Sequence, residues 1–127
     1  MTRQLLAATA AIVTAMTSVA CRVEAEERFQ KLTGAQIRAK FTGMQFTDEV
    51  HWAERYEPNG KLAVEEMGTR RVGAWRIQND QLCTNYEKQG ADNCLEVWMS
   101  GRKVEMRTPG SASSSLDGVL EKPGSRR

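Results

Sequence analysis

The sequence is poor in the residues on which most catalytic and metal sites depend. Its 127 residues include one histidine, His51, and three cysteines. A single imidazole makes a histidine-based metal site or a catalytic triad hard to build, and no two cysteines are closely spaced as in structural zinc sites. The chain also has no glycine-rich phosphate loop and no nucleophile elbow. We therefore expect no catalytic residues, no metal and no cofactor.

An excess of charge of one sign is also missing. The formal net charge is +2, from 18 lysines and arginines against 16 acidic residues. The basic pairs Arg70-Arg71 and Arg126-Arg127 are short and carry no interleaved aromatic residues. Nucleic-acid binding needs a longer basic stripe, so we expect none.

The one long apolar run lies at the N-terminus. Arg3 precedes an uncharged run from Leu5 to Ala20, which is the layout of a secretory signal peptide and is short for a spanning helix. We expect residues 1–25 to be removed by cleavage before Glu26, leaving a periplasmic or secreted protein. A second processing route stays open, because residues 18–21 resemble a bacterial lipobox. In that case Cys21 would carry a lipid and anchor the protein to the membrane.

Residues 26–107 predict one β-rich domain that begins with a helix. Thr33 is a candidate N-cap and Gln36 follows three positions later, as in a capping box, so we expect a helix over 33–41. From Asp48 onward, alternating apolar residues and turn signals predict successive hairpins. Residues 108–127 have the composition of a serine-rich linker and tail. Within them, residues 116–120 could return as one last strand or a lid.

Two cysteines remain after cleavage, Cys83 and Cys94. An even pair in an exported chain indicates a disulfide. A hairpin turn at Lys88-Gln89 would set these two residues directly opposite each other. Cross-strand Cβ atoms are then within about 4.5–5.5 Å, close enough for a bond after a small adjustment.

The neighbouring hairpins predict one shared apolar face. A turn at Asn79-Asp80 would join the strand that contains Ile77 to the strand that contains Leu82. A turn at Ser100-Gly101 would pair Val97 with Val104. Separate turns then agree on which side of the sheet is buried. The predicted face comprises Trp75, Ile77, Leu82, Leu95, Val97, Met99, Val104 and Met106.

An antiparallel meander of this kind removes its edges by closing as a small barrel or bending into a sandwich. We expect a mainly β fold, lipocalin-like or lysozyme-inhibitor-like, with one short N-terminal helix. The Tyr56-x-x-Asn59-Gly60 hairpin, "GAWRI" at 73–77 and a second cysteine ahead of "EVW" resemble small exported β-domains of proteobacteria. Most of these are domains of unknown function. The resemblance implies a periplasmic β-fold and no chemistry.

The loop "SGRKV", residues 100–104, resembles the Ser-Gly-x-Lys loop of periplasmic inhibitors of c-type lysozyme. The resemblance implies that Ser100 and Lys103 enter the lysozyme cleft, whose catalytic carboxylates attract a cation. It departs from the pattern at Val104, where an aromatic residue usually stands. Trp98, predicted to point outward near the disulfide, is a further candidate anchor for a partner.

We therefore expect a non-catalytic envelope protein that binds a macromolecular partner through Ser100, Lys103 and Trp98. The alternative is a carrier of a small apolar ligand in a barrel cavity. Trp52 and Trp75, both predicted to point inward, would line such a cavity.

Overall fold

The computed structural model describes residues 28–86 and 90–124. The predicted signal peptide, Cys21 and the turn at Lys88-Gln89 lie outside the described residues. Within the described ranges the chain forms one helix and nine strands. In chain order these are β1 (Gln30–Lys31), α1 (Gly34–Phe41), β2 (Gln45–Thr47), β3 (Trp52–Tyr56), β4 (Lys61–Glu66), β5 (Thr69–Gln78), β6 (Gln81–Tyr86), β7 (Asn93–Ser100), β8 (Lys103–Arg107) and β9 (Ser114–Glu121).

Strands β2 to β9 form a closed antiparallel barrel. Each pairs with the next along the chain, and β9 pairs back with β2 to complete the circle. The two-residue strand β1 adds to β7, where Gln30 faces Met99. The expected mainly β fold is confirmed, and of its two architectures the barrel is the one present. Closure leaves no free edge among the eight strands, which removes the tendency to pair with other chains.

The helix α1 covers one end of this barrel. Thr33 and Gln36 form the expected capping box, in which each side chain accepts a hydrogen bond from the backbone N–H of the other residue. Ile37 and Phe41 are fully buried, and the Phe41 ring packs edge-on against Tyr56 with centroids 5.2 Å apart. We call this end the helix end, and we call the opposite end, which no described helix covers, the open end.

The predicted apolar face is the inward face of the barrel. Trp75, Leu82 and Val97 are buried there, and Ile77 and Leu95 pack against them. Because alternate residues of a strand point to opposite sides, the outward side carries the cysteines and many of the polar residues. The core therefore follows from the hairpin pattern.

The register predicted for the β7–β8 hairpin is wrong. The turn lies at Gly101-Arg102, so Val97 faces Met106 and Met99 faces Val104. Gly101 has a φ of +58°, and a positive φ at the first central residue is what a type II′ turn requires of its glycine. The error moves each partner by two positions, and a two-residue shift leaves the inward face unchanged.

Cys83 and Cys94 are direct cross-strand partners on β6 and β7 and form the predicted disulfide. The bond lies on the outward face, where Cys83 is nevertheless buried beside Arg76 and its ion-pair partner Asp92. A disulfide indicates an oxidising compartment outside the cytoplasm. Among the described residues no helix is long and apolar enough to cross a membrane.

The barrel closes where β9 meets β2. The predicted last strand at 116–120 lies inside β9, while the short strand β2 was not foreseen. Gly118 sits so close to β2 that a Cβ atom there would lie 2.5 Å from the carbonyl oxygen of Thr47 and 2.7 Å from the Phe46 ring. A residue larger than glycine at position 118 would therefore clash with β2 at this seam.

The variant Gly118→Ala should lower the free energy of unfolding by about 1–3 kcal/mol, because the added methyl group overpacks the seam. Urea denaturation followed by tryptophan fluorescence measures this. Gly90→Ala is the matched control, since no atom of the described residues, apart from the chain neighbours of Gly90, lies within 4 Å of a Cβ built there. If the two variants unfold at the same urea concentration, the close packing of β9 against β2 at Gly118 is contradicted.

Candidate functional site

A buried carboxylate lies inside the open end of the barrel. The alternation of β3 directs Trp52, Glu54 and Tyr56 to the inward face. Glu54 is only 8% exposed, although it belongs to a charged residue type. Burial of an ionised carboxylate is costly unless hydrogen bonds or an opposite charge compensate it. The groups that hydrogen-bond to Glu54 therefore define this site.

Two tyrosines supply those hydrogen bonds. The Tyr56 hydroxyl donates to Glu54 Oε2 at 2.5 Å, and the Tyr86 hydroxyl donates to Glu54 Oε1 at 2.6 Å. Burial raises the pKa of Tyr56 well above its ordinary value, and the negative charge of Glu54 raises it further. Burial and Glu54 also raise the pKa of Tyr86, with Arg71 opposing them. Both phenols thus stay protonated and remain donors to the carboxylate.

An ion pair stands at the rim above this cluster. Arg71 Nη2 lies 2.8 Å from Glu66 Oε2, and the Arg71 guanidinium lies 4.8 Å from the centre of the Tyr86 ring. The side chains of Arg71 and Glu66 are 40% and 54% exposed. An exposed pair of this kind contributes about 0–1 kcal/mol to stability, so a change in its position to admit another group costs little.

Glu54, Tyr86 and the Arg71–Glu66 ion pair border a cavity of about 140 Å³ that opens to solvent. That volume corresponds to roughly four or five water molecules at about 30 Å³ each. Two carboxylates and one guanidinium give the ionised groups around the cavity a net charge of −1. The lining consists of Trp52, Glu54, Val64, Glu66, Arg71, Tyr86 and Leu116. An anionic pocket with aromatic walls suits a small cation better than an anion.

The β2–β3 loop holds Trp52 at the rim. Asp48 Oδ1 accepts hydrogen bonds from the backbone N–H groups of Val50, His51 and Trp52, and Asp48 Oδ2 lies 2.8 Å from His51 Nδ1. Desolvation raises the pKa of Asp48, but these hydrogen bonds outweigh it and hold the pKa below its ordinary value. His51 is exposed and lies in this loop, since β3 begins at Trp52.

Two apolar side chains project from the loops beside the cavity. Val50 is 80% exposed and Met67 is 75% exposed. The Met67 backbone N–H donates to the carbonyl of His51 at 2.9 Å, which ties the β4–β5 turn to the β2–β3 loop. Met67 also has a φ of +49°, a conformation that costs energy for a residue other than glycine. The rim therefore presents apolar groups to solvent.

The residues proposed for partner binding share a different surface. Ser100 and Lys103 are direct neighbours at the β7–β8 turn, and Trp98 lies two residues before Ser100 on the same outward face. This hairpin turns at the helix end, away from the cavity. The structure thus brings the three predicted residues together and separates them from Glu54.

Trp98 is half-buried. The Arg107 guanidinium covers its ring at 4.2 Å from the ring centre, and Lys31 of β1 is its cross-strand neighbour. The indole Nε1 of Trp98 is buried and has no hydrogen-bond acceptor among the described residues. A buried donor without an acceptor is unusual in folded proteins, so the outward face around Trp98 is a candidate interaction surface.

Sequence reasoning missed the carboxylate cluster. One signal for it was present, because Glu54 occupies the inward position between Trp52 and Tyr56, where an apolar residue is expected. Tyr86 and Arg71 carried no such signal. They reach Glu54 only through the register of β5 and β6 and the curvature of the barrel.

No group of three or more histidine, cysteine or acidic side chains in the described ranges could hold a metal ion. Comparisons of the chain with protein-family models, with curated proteins and with solved structures found no significant match.

The two tyrosines of this chain both bond to Glu54, so phenolate absorbance reports on this cluster alone. The ordinary pKa of tyrosine is about 10. A raised pKa in the folded state means that the unfolded chain loses these protons first, so the free energy of unfolding should fall as the pH rises above about 10. An absorbance titration of the folded protein should show little phenolate near pH 10.

Glu54→Gln should move that titration to lower pH, because it removes the negative charge next to both phenols. Glu65→Gln, on the outward face of β4, is the control and should leave the titration unchanged. Wild-type phenols that titrate near pH 10 would contradict the described cluster.

Proposed function

We propose that this chain is a non-catalytic binding protein of the cell envelope, periplasmic or secreted, that holds a small organic cation in the open end of its barrel. The observation that carries the proposal is the buried Glu54 carboxylate at the floor of a cavity with aromatic walls. The disulfide supports the envelope setting, since such bonds form in oxidising compartments.

The chemistry of the cavity favours an ammonium group. A carboxylate has about four lone-pair sites, and the hydroxyls of Tyr56 and Tyr86 use two of those on Glu54. An ammonium group of a ligand can donate to the remaining sites. The faces of Trp52 and Tyr86 attract the same positive charge. An entering ammonium would take the place of the Arg71 guanidinium over Tyr86, while Arg71 keeps Glu66 as its partner.

The size of the cavity favours a small ligand over a large apolar cargo. Sites for drug-sized ligands measure about 300–1,000 Å³, whereas this cavity measures about 140 Å³. The inside of the helix end is filled by fully buried side chains, among them Phe41, Phe46 and Leu62. Only a ligand of a few non-hydrogen atoms, or the end of a longer one, matches the space beside Glu54.

Butylammonium is a suitable probe, with 1-butanol and butanoate as its neutral and anionic counterparts. We expect butylammonium to shift the amide and indole resonances of residues around the cavity, and the two counterparts to shift them much less. Glu54→Gln should weaken binding at least about tenfold, because a hydrogen bond to a charged group is lost. Glu65→Gln should bind like the wild type.

A second variant blocks the cavity without removing its negative charge. Leu116→Trp leaves the Glu54 carboxylate in place and fills the cavity from β9, so it should also abolish binding. Equal affinity for butylammonium and 1-butanol, or a Glu54→Gln variant that binds like the wild type, would rule the proposal out.

A second candidate function is partner binding through the β7–β8 hairpin. Two features favour it. Ser100, Lys103 and Trp98 share one outward face, and the buried Trp98 indole N–H has no acceptor among the described residues. A partner that displaces the Arg107 side chain from the Trp98 ring could offer that acceptor while the turn enters a cleft. The resemblance of the turn to lysozyme inhibitors makes c-type lysozyme the first partner to test.

If the hairpin inhibits lysozyme, Lys103→Glu should weaken inhibition in a cell-wall lysis assay, because it reverses the charge offered to an acidic cleft. The effect should shrink with added salt, since exposed charges are screened over about 8–10 Å at physiological ionic strength. Lys61→Glu, at the exposed β3–β4 turn, is the matched control. Absence of inhibition by the wild type would remove this candidate.

A further inference from the structure

A groove of about 470 Å³ opens at the helix end of the barrel. It lies between the residues at and after the end of α1, the β7–β8 turn and the end of β9, where Lys40, Gly101 and Leu120 line it. Ile37 and Phe41 of α1 cover part of the barrel end. The groove is the part that the helix leaves uncovered, and it is separate from the cavity at Glu54.

The floor of the groove is apolar and adaptable. It consists of Met44, Met99 and Leu120. Met99 and Leu120 point inward and belong to the hydrophobic core, and Met44 packs against that core. Methionine is unbranched and flexible, so two of these three side chains can shift to accommodate an apolar chain.

The rim of the groove is positively charged. Lys40, Arg102 and Lys122 surround the floor, and all three are exposed. The acidic residue of the rim is Glu121, which is 7% exposed and whose Oε1 accepts a hydrogen bond from Gln45 Nε2 at 3.3 Å. Three cations against one buried carboxylate leave the rim with a net positive charge.

We propose that this groove binds a single-chain anionic amphiphile, with a long-chain carboxylate as the ligand class. Its head group would lie among Lys40, Arg102 and Lys122, and its alkyl chain would lie over Met44 and Met99. The volume of the groove falls in the range of small-molecule sites, about 300–1,000 Å³. The positive charge of the rim favours an anionic head group, and the apolar floor favours an alkyl chain.

Titration calorimetry of the full chain with decanoate below its micelle concentration tests the proposal. Affinity should rise roughly three- to fourfold for each methylene added between octanoate and dodecanoate, because each one buries apolar surface. Decyltrimethylammonium, with the same chain and the opposite charge, should bind at least about tenfold more weakly. Equal binding of the two amphiphiles, or affinity independent of chain length, would overturn the proposal.

Charge-reversal variants locate the head group. Arg102→Glu and Lys40→Glu should each weaken decanoate binding at least about tenfold, as expected for loss of a hydrogen bond to a charged group. Lys61→Glu, on the neighbouring β3–β4 turn, is the control and should have no effect, and an equal effect there would contradict the assignment. Glu54→Gln should retain decanoate binding, so this result is independent of the cation site.

Other occupants of the groove give distinct results. Strand β1 pairs Gln30 with Met99, which lines the groove, so the segment that precedes β1 in the sequence is one candidate occupant. If that segment is the occupant, decanoate should bind only after the first 25 residues are removed. If an anionic bilayer is the occupant, anionic vesicles should bind while monomeric decanoate does not. Either result would overturn the proposal.

Discussion

The pairing of β9 with β2 is the contact on which the rest of the structure depends. It turns a meander with two free edges into a closed barrel, and Gly118 permits the close approach that the seam requires. Leu116, near the start of β9, forms a wall of the cavity beside Glu54, and Leu120, near its end, forms the floor of the basic groove. Both candidate sites therefore exist only after closure.

The buried carboxylate is hard to explain by stability alone. Taking a charge out of water is costly, and replacement of buried charged groups by well-packed apolar residues is often neutral or stabilising. Glu54 is held by two short hydrogen bonds from tyrosines, which compensate its burial without neutralising it. An interior that keeps a negative charge near one end of the barrel suits a positive group, and this is the basis of the proposed function.

The two ends of the barrel carry opposite electrostatic character. The ionised groups around the open-end cavity sum to −1, whereas the rim of the helix-end groove carries Lys40, Arg102 and Lys122 against Glu121. A formal net charge of +2 for the whole chain conceals this separation. Overall charge thus gave no indication of either site, because both depend on where strands place a few side chains.

The sequence by itself determined the local features. The capping box at Thr33, the inward face of the hairpins and the Cys83–Cys94 pair all depend on residues close together in the chain, where capping and turn geometry act directly. The turn of the β7–β8 hairpin was misplaced by one residue. Both Ser100-Gly101 and Gly101-Arg102 are plausible central pairs from the sequence, and the twist of the paired strands favours the second. Only the tertiary structure decided between barrel and sandwich, and only it brought Tyr86 to Glu54. The reason is that closure depends on the accumulated twist of eight strands and on pairing between β2 and β9, which lie far apart in sequence and carry weak local signals.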